Sequence, residues 1–411
     1  MSGSAAPSAL ALDGGPPVRR SPWPAWPHFD EDEIRAAADV LRSGKVNYWT
    51  GERGRSFERT FAAYCGAPFG IAVANGTVAL EACLHALDLG HDDEVVVPAR
   101  TFAATGASVV RMGARPVFAD VDPDSGCLDV PSLHAACTAR TRAVIVVHLG
   151  GWPADMPALT AFGRAQGIAV IEDCAQAHGA AIAGRRVGAW GDLAAFSFCQ
   201  DKIMTTGGEG GMILCRDEAL WRRAWAYKDH GKAWSAVYER EHPPGFRWLH
   251  ESIGTNARMT EMQAAIGEVQ LGKLDAWVHT RRSHARRLAA ALASCAGLRV
   301  PVPAADVHDA AYRLYAYLRP GALRPGWTRD RVMEAIEAKG VPCKVGSCGE
   351  IYLERAFEPY RPATRLPVAR ALAEQSLCFL VHPTMSADDV DDIATAVHKV
   401  LAHAAVESAT A

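Results

Sequence analysis

The chain has 411 residues, of which 49% are hydrophobic and 22% charged, and a formal net charge of −3. A charge this small gives no electrostatic reason for a nucleic acid or an anionic membrane as partner, and no apolar run approaches the ~20 residues of a membrane span. The length exceeds one ordinary core, so two domains are expected. The 11 cysteines are scattered, with no Cys-x-x-Cys pair. That usage fits reduced thiols in a cytoplasmic protein better than a disulfide framework or a zinc site. The opening MSGSAAPSALALDGGPPVRR has neither the basic start nor the apolar core of a secretory signal.

Residues 1–29 are rich in Pro and Gly and read as an extended N-terminal arm. DEDEIRAAADVLRSG combines an acidic start, apolar positions at helical spacing and a terminal Gly, which predicts a capped helix. SFERTFAAYCG predicts a second. From residue 71 short apolar strands alternate with helices: IAVA before NGTVALEACLHALDLG, EVVVPA before TFAATGASVVRMG, PVFADV before a helix around PSLHAACT, then RAVIVVHLGG, IAVIEDCAQ, LAAFSFCQ and GGMILCRD. Strands this continuously apolar belong to a mostly parallel sheet covered by helices on both faces. Residues 30–275 therefore read as one large α/β domain. Residues 276–411 read as a smaller α+β domain, with a long basic-faced helix, strand-like YRLYAYLRP, a helix in TRDRVMEAIEAKG and a closing helix in SADDVDDIATAVHKVLAHA. The arginines 281, 282, 286 and 287 read as a solvated helix face rather than a phosphate site.

The stretch SFCQDKIMTTGGEGG, residues 197–211, sets Lys202 between an apolar strand and four glycines. Lysine is rarely buried without a partner, so the position has to be explained. Ligands of open α/β sheets bind outside the carboxyl ends of the strands, and the polar residues at those ends form a set. Asn75-Gly76-Thr77 open a helix whose free N–H groups suit an anion. Phe102 follows the second strand, Glu172 and Asp173 end another, and Ser197 and Lys202 follow a further one. Singly, each has a plainer reading: a helix cap, a core aromatic, a structural acid. A P-loop is excluded for Lys202, because its glycines follow the lysine instead of preceding it. Together they supply what pyridoxal phosphate needs: phosphate donors, a flat apolar face, a carboxylate for the pyridine nitrogen and an amine for the aldehyde.

Several motifs in one order, YWTGERGRSFERTFAAYCG, VANGTVAL, VVVPARTFAAT, PVFADVDP, VVHLGGWPADM, IEDCAQAHGA, FSFCQDKIMTTGGEGG and GTNARMTEMQAAIG, resemble the DegT/DnrJ/StrS family of sugar aminotransferases over nearly the whole chain. The resemblance implies the aspartate-aminotransferase fold (fold type I) with pyridoxal phosphate as cofactor. It assigns Lys202 as Schiff-base lysine and proton shuttle, Asp173 as partner of the pyridinium nitrogen and Gln176 as neighbour of the ring 3′-oxygen. Phe102 would stack on the ring, and Gly76, Thr77 and Ser197 would hold the phosphate. Asn256 would reach the phosphate of a second subunit, which implies a homodimer with shared sites. Relatives with histidine at the lysine position are dehydratases and deoxygenases, so Lys202 favours transamination. The expected reaction moves an amino group, from L-glutamate, to a nucleotide-linked keto-deoxysugar, with a free keto-cyclitol of the aminoglycoside type as the nearest alternative and a lyase or regulatory role more distant. In VPCKVGSCGEIYLE, where relatives often carry a His-Tyr-Pro-type segment, Lys344 and Tyr352 are the substrate-facing candidates, against a default of surface loop residues.

Overall fold

The computed structural model describes residues 9–241 and 248–406, so the first eight residues of the predicted arm lie outside the described residues. The large domain runs α1 (Glu31–Ser43), α2 (Arg53–Cys65), β1 (Phe69–Val73), α3 (Gly76–Ala86), β2 (Glu94–Pro98), α4 (Ala103–Arg111), β3 (Arg115–Ala119), α5 (Val130–Ala136) and β4 (Thr141–Val147). It continues through α6 (Met156–Gln166), β5 (Ala169–Asp173), the two-residue β6 (Ala181–Ile182) and β7 (Arg185–Arg186), β8 (Leu193–Ser197), β9 (Gly211–Cys215), α7 (Glu218–Lys228) and α8 (Trp234–Tyr238). Then come α9 (Glu261–Leu292), β10 (Leu298–Arg299), β11 (Val307–His308), β12 (Leu314–Leu318), α10 (Arg329–Ala338), α11 (Pro367–Gln375), β13 (Ser376–Phe379) and α12 (Ala387–Ala404).

Local chemistry sets these boundaries. Asp30 and Glu33 form a capping box that starts α1, and Gly44, at φ +68°, ends it. Every residue of β2, β8 and β9 is buried, as their unbroken apolar sequences require of strands covered on both faces. The seven-stranded sheet has the order β1-β9-β8-β5-β4-β2-β3, and only β9 runs against the others. The carboxyl ends of β1, β2, β4, β5 and β8 therefore meet at one edge, where the chain's polar strand-end residues collect. The smaller domain is built on the sheet β10-β12-β13, and the ribbon β11-β6-β7 joins the two domains. Among the described residues no helix is long and apolar enough to cross a membrane, and all eleven cysteines are free thiols.

The predicted boundary at residue 275 falls inside α9, a single helix of 32 residues. Near its middle Lys273 holds Asp30, Asp32 and Glu33 of the α1 end at 2.9, 2.7 and 2.8 Å. Farther on, Ala285, Leu288, Ala289 and Leu292 enter the small-domain core with Val390, Ile393 and Val397 of α12. This helix belongs to both domains. Arg281 departs from the solvated face expected of it: it is fully buried, with its guanidinium 4.8 Å over the Trp26 ring, and burial, then the Arg313 charge, pushes its pKa down to about 9. Arg282 and Arg287 do reach surface partners, Asp309 at 3.2 Å and Asp391. The described part of the arm contains a short 3-10 turn at Ala11–Asp13 and is bound along the small domain: Val18 and Arg19 donate to the Lys339 carbonyl, and the Trp23 indole donates to the Gly340 carbonyl at 2.7 Å.

Two buried polar groups have measurable consequences. Glu261, at the start of α9, accepts the Arg53 and Gly54 N–H groups at 2.6 and 3.0 Å and so caps α2. Glu261→Ala leaves two N–H groups without acceptors and is expected to cost about 2–4 kcal/mol, read as a lower urea midpoint. His178 is fully buried between Phe196 and Phe198, with both ring centroids at 5.5 Å. Burial, then the Lys202 charge, pushes it from 6.5 down to about 3. The unfolded chain therefore binds a proton that the folded chain refuses as pH falls below 6.5, and stability declines from there toward pH 3. His178→Gln should flatten that decline in urea midpoints measured across the range, and an unchanged slope would contradict the assignment.

Candidate active site

At the carboxyl edge of the sheet a cleft of about 840 Å³ opens between the two domains. Its large-domain wall carries Gly76, Thr77, Phe102, Asp173, Gln176, Ser197 and Lys202, and its small-domain wall Tyr312, Arg313, Tyr315, Lys344 and Ser347.

The anion cradle comes from α3. Asn75 caps the helix by accepting the Val78 N–H at 2.9 Å, which leaves the first-turn N–H groups of Gly76 and Thr77 without intrahelical acceptors. A Cβ on Gly76 would sit 2.5 Å from the Ser197 Cβ. Glycine at this position lets the helix start close against the end of β8, so the N-terminus and the Ser197 hydroxyl share one corner of the cleft.

Glu172 and Asp173 adjoin in sequence but face opposite ways, as successive strand residues do. Glu172 is fully enclosed and accepts the Gly188, Trp190 and Gly191 N–H groups, each at 2.8 Å, together with His148 Nε2 at 3.1 Å. His148 Nδ1 accepts the Ala154 N–H, so the proton on this ring is at Nε2. That acid is fully engaged in structure. Asp173 instead lines the cleft, accepting only the Ala175 N–H at 3.2 Å and the Thr105 hydroxyl at 3.0 Å. Burial pushes its carboxyl above the ordinary Asp range; the two hydrogen bonds and the charge of Lys202 oppose that shift without overcoming it. A cationic N–H at this point would complete the opposition.

The glycines after Lys202 serve a turn. Phe198 N–H donates to the Gly210 carbonyl, and the loop returns as β9 antiparallel to β8. Gly207 and Gly208 take φ of +87° and +123°, and a Cβ on Gly210 would meet Thr206 Oγ1 at 2.0 Å. The folded loop holds Lys202 with its side chain 18% exposed and Nζ 3.6 Å from Asp201. From the arm, the Trp26 indole donates to the Lys202 carbonyl at 2.8 Å.

The remaining candidates divide. Phe102 is the N-cap residue of α4 and is 68% exposed on the cleft wall, an open apolar face of the kind a planar ring covers. Gln176 accepts the Gly150 N–H at 2.7 Å and donates to Ser347 Oγ at 3.2 Å, which ties the loop after β5 to the small domain. Lys344 stands at the rim, its ammonium on Glu337 at 2.7 Å and its side chain 70% exposed. Asn256 lies on an exposed segment, bridged through its backbone to Asp229, and does not line this cleft. Tyr352 requires correction. It is fully buried, its hydroxyl donates to Glu350 and accepts the Leu366 N–H at 3.0 Å, and its ring packs 5.7 Å from Phe118. Ile351, Tyr352 and Phe357 enter the large-domain core, so Tyr352 faces no substrate.

Sequence reasoning passed over Thr105, Asp201, Tyr312, Arg313 and Trp26. Thr105 had a signal, lying one helical turn after Phe102 at a strand end. Trp26, Tyr312 and Arg313 had none, since each meets Lys202 or Asp201 from more than 100 residues away in the chain. The donor set fits pyridoxal phosphate: a helix N-terminus beside a hydroxyl, an exposed aromatic face, a buried carboxylate with its burial incompletely offset, and a lysine in one cleft.

Comparison with known proteins agrees. Residues 27–398 match the model of the DegT/DnrJ/EryC1/StrS aminotransferase family. The L-glutamine:2-deoxy-scyllo-inosose aminotransferase of Streptomyces kanamyceticus is 36% identical over 98% of this chain and 99% of its own. The UDP-N-acetyl-3-dehydro-alpha-D-glucosamine 3-aminotransferase of Acidithiobacillus ferrooxidans is 35% identical over 87% and 90%. Among solved structures, an aminotransferase from Psychrobacter cryohalolentis is 48% identical with a TM-score of 0.90, over 93% of this chain and 99% of that one. The chain belongs to the DegT/DnrJ/EryC1/StrS aminotransferases, pyridoxal-phosphate enzymes of fold type I that act on sugars and cyclitols.

Proposed function

We propose that this enzyme transfers the amino group of an α-amino acid, L-glutamine ahead of L-glutamate, to a ring ketone of a free keto-cyclitol. The observation that carries aminotransfer is the convergence of Lys202, Asp173 and the α3 N-terminus on one cleft. Pyridoxal phosphate, when bound, supplies the electron sink that lets the donor Cα–H bond break. Lys202 Nζ takes and returns that proton, as a general base and then a general acid. Asp173 keeps the pyridine nitrogen protonated, and Thr105 holds the Asp173 carboxylate in place. Gly76, Thr77 and Ser197 would hold the phosphate, Phe102 would offer its exposed face to the ring, and Gln176 would lie at the ring edge. Asn256 acts in the site of a second copy, which makes the working unit a homodimer; its exposed position, near Ile253 at 89% exposure, supports this reading.

The free-cyclitol reading is supported by an inventory of charge. Among the described residues lining the cleft, Arg111 is paired with Glu81 at 2.6 Å and Lys344 with Glu337 at 2.7 Å. Only Arg313 remains beside Lys202, and a nucleotide diphosphate calls for several charge-assisted contacts. A neutral cyclitol calls for none, in keeping with the name of the Streptomyces kanamyceticus relative and its end-to-end likeness. A nucleotide-linked keto-sugar is the second reading, favoured by the Acidithiobacillus ferrooxidans relative.

Lys202→Ala should lower turnover about 10³-fold or more, the scale of a positioned proton-transfer group, while cofactor remains in the protein; normal turnover would sink the assignment. Product amine measured by mass spectrometry with L-glutamine and either 2-deoxy-scyllo-inosose or UDP-N-acetyl-3-dehydro-glucosamine distinguishes the acceptors. Amination of the first alone is expected, and of the second alone would establish the nucleotide-sugar reading instead.

A further inference from the structure

We infer that Trp26 is a positioning residue for Lys202, and that the N-terminal arm acts on the reaction through this one indole. The inference rests on the aminotransferase reading above and concerns a residue outside residues 27–398, the stretch that the family model matches.

Lys202 lies between β8 and β9 in a segment that belongs to neither strand. Its N–H closes a turn on the Cys199 carbonyl at 3.1 Å, and Ile203 and Met204, which follow it, are buried in one core with Phe198, Met259 and Ala264. The Lys202 carbonyl has one hydrogen bond among the described residues, from the Trp26 indole at 2.8 Å. That carbonyl belongs to the rigid peptide plane joining Lys202 to Ile203. Holding it stops rotation about the Lys202 Cα–C bond and so fixes the direction in which the side chain leaves the backbone. Nζ has to serve both the cofactor and the donor Cα, and each reach starts from that same direction.

Trp26 is itself held in place. Trp277 and Arg281 of α9 flank it, the first edge-on at 5.2 Å between ring centroids, the second with its guanidinium carbon 4.8 Å from the ring centroid. His382, after β13, lies nearly parallel to it at 6.2 Å. On its N-terminal side the Ala25 carbonyl accepts the Thr384 hydroxyl at 2.9 Å. Arg281 is fully buried, and among the described residues its Nε and Nη2 have no hydrogen-bond partner. A buried cation so poorly satisfied is costly, and the π face of Trp26 offsets part of that cost. Arg281 Nη1 donates to the Tyr312 carbonyl at 3.5 Å, and the Tyr312 hydroxyl donates to Asp201, the residue before Lys202. Trp26 therefore acts on the Lys202 backbone directly, and through Arg281 and Tyr312 on the preceding residue.

The test uses holoenzyme without acceptor, following loss of the cofactor's visible band after mixing with L-glutamine over a series of concentrations. Trp26→Phe keeps an aromatic ring against Arg281 and removes the N–H. Its band-loss rate at saturating L-glutamine should fall about 10-fold, the scale of one lost neutral hydrogen bond. The half-saturating concentration should stay within about twofold, since Trp26 does not line the cleft. The visible circular dichroism of the bound cofactor should weaken in the same variant, a readout that needs no turnover. Trp23→Phe removes the neighbouring bond of the arm to the Gly340 carbonyl and leaves Lys202 untouched, so its rate should match wild type even where its urea midpoint drops. Should Phe at position 26 prevent folding, 3-benzothienylalanine there, with the size of tryptophan and no N–H, carries the same expectation. An unchanged rate or an unchanged dichroism in Trp26→Phe would overturn the inference. Equal rate losses in the two variants would mean that the arm is merely structural and overturn it too, as would a change confined to half-saturation. Wild-type holoenzyme that ignores every amino acid would overturn aminotransfer itself, an outcome distinct from these.

Discussion

The site depends on a carboxylate placed where burial opposes its charge. Asp173 ends β5 at 7% exposure, and desolvation drives its carboxyl toward the neutral form. Neighbours offset that cost in part: the Ala175 N–H, the Thr105 hydroxyl and the charge of Lys202. Each comes from a different strand end, so the parallel sheet is what assembles the set. The same edge gathers the α3 N-terminus and the Lys202 loop. Reversing β9 alone against the other strands then lets the chain after Lys202 fold straight back, through four glycines, without leaving the sheet.

A second constraint holds the cleft's two walls in register. Gln176 reaches Ser347, whose own N–H donates to the Tyr315 hydroxyl, and Gly150 and Gly151 carbonyls accept from Arg313 and Ala310. Helix α9 passes through both domains, and the arm returns along the small domain to place Trp26 against the Lys202 carbonyl. Arg281 fills the space beneath Trp26, a buried cation held against an aromatic face. The Lys202 loop is thus supported from remote parts of the chain, and the small domain delivers the Tyr312 hydroxyl to Asp201 beside Lys202.

Much of this was legible beforehand, for physical reasons. Apolar strands interrupted by polar ends declare a parallel sheet and point to its ligand edge, so Asp173, Ser197 and Lys202 stood out from their neighbours. The rest depends on contacts that no local pattern encodes. Four arginines on one helix look solvated, and only the distant Trp26 reveals that Arg281 is not. Tyr352 had the polarity of a substrate contact, but Ile351 and Phe357 draw it into the core. Two-residue strands such as β6 and β7 carry no periodicity, and the boundary at residue 275 could not be seen because α9 continues through it. Asn256 was picked out by resemblance alone, and one protomer leaves it on the surface.

The most direct test of the central claim is the visible absorbance spectrum of the purified protein, taken before and after L-glutamine is added without an acceptor. The account predicts a yellow protein whose band gives way to that of pyridoxamine phosphate, the outcome expected if Lys202 and Asp173 have the roles proposed for them. A colourless protein that also fails to take up added pyridoxal phosphate would contradict it.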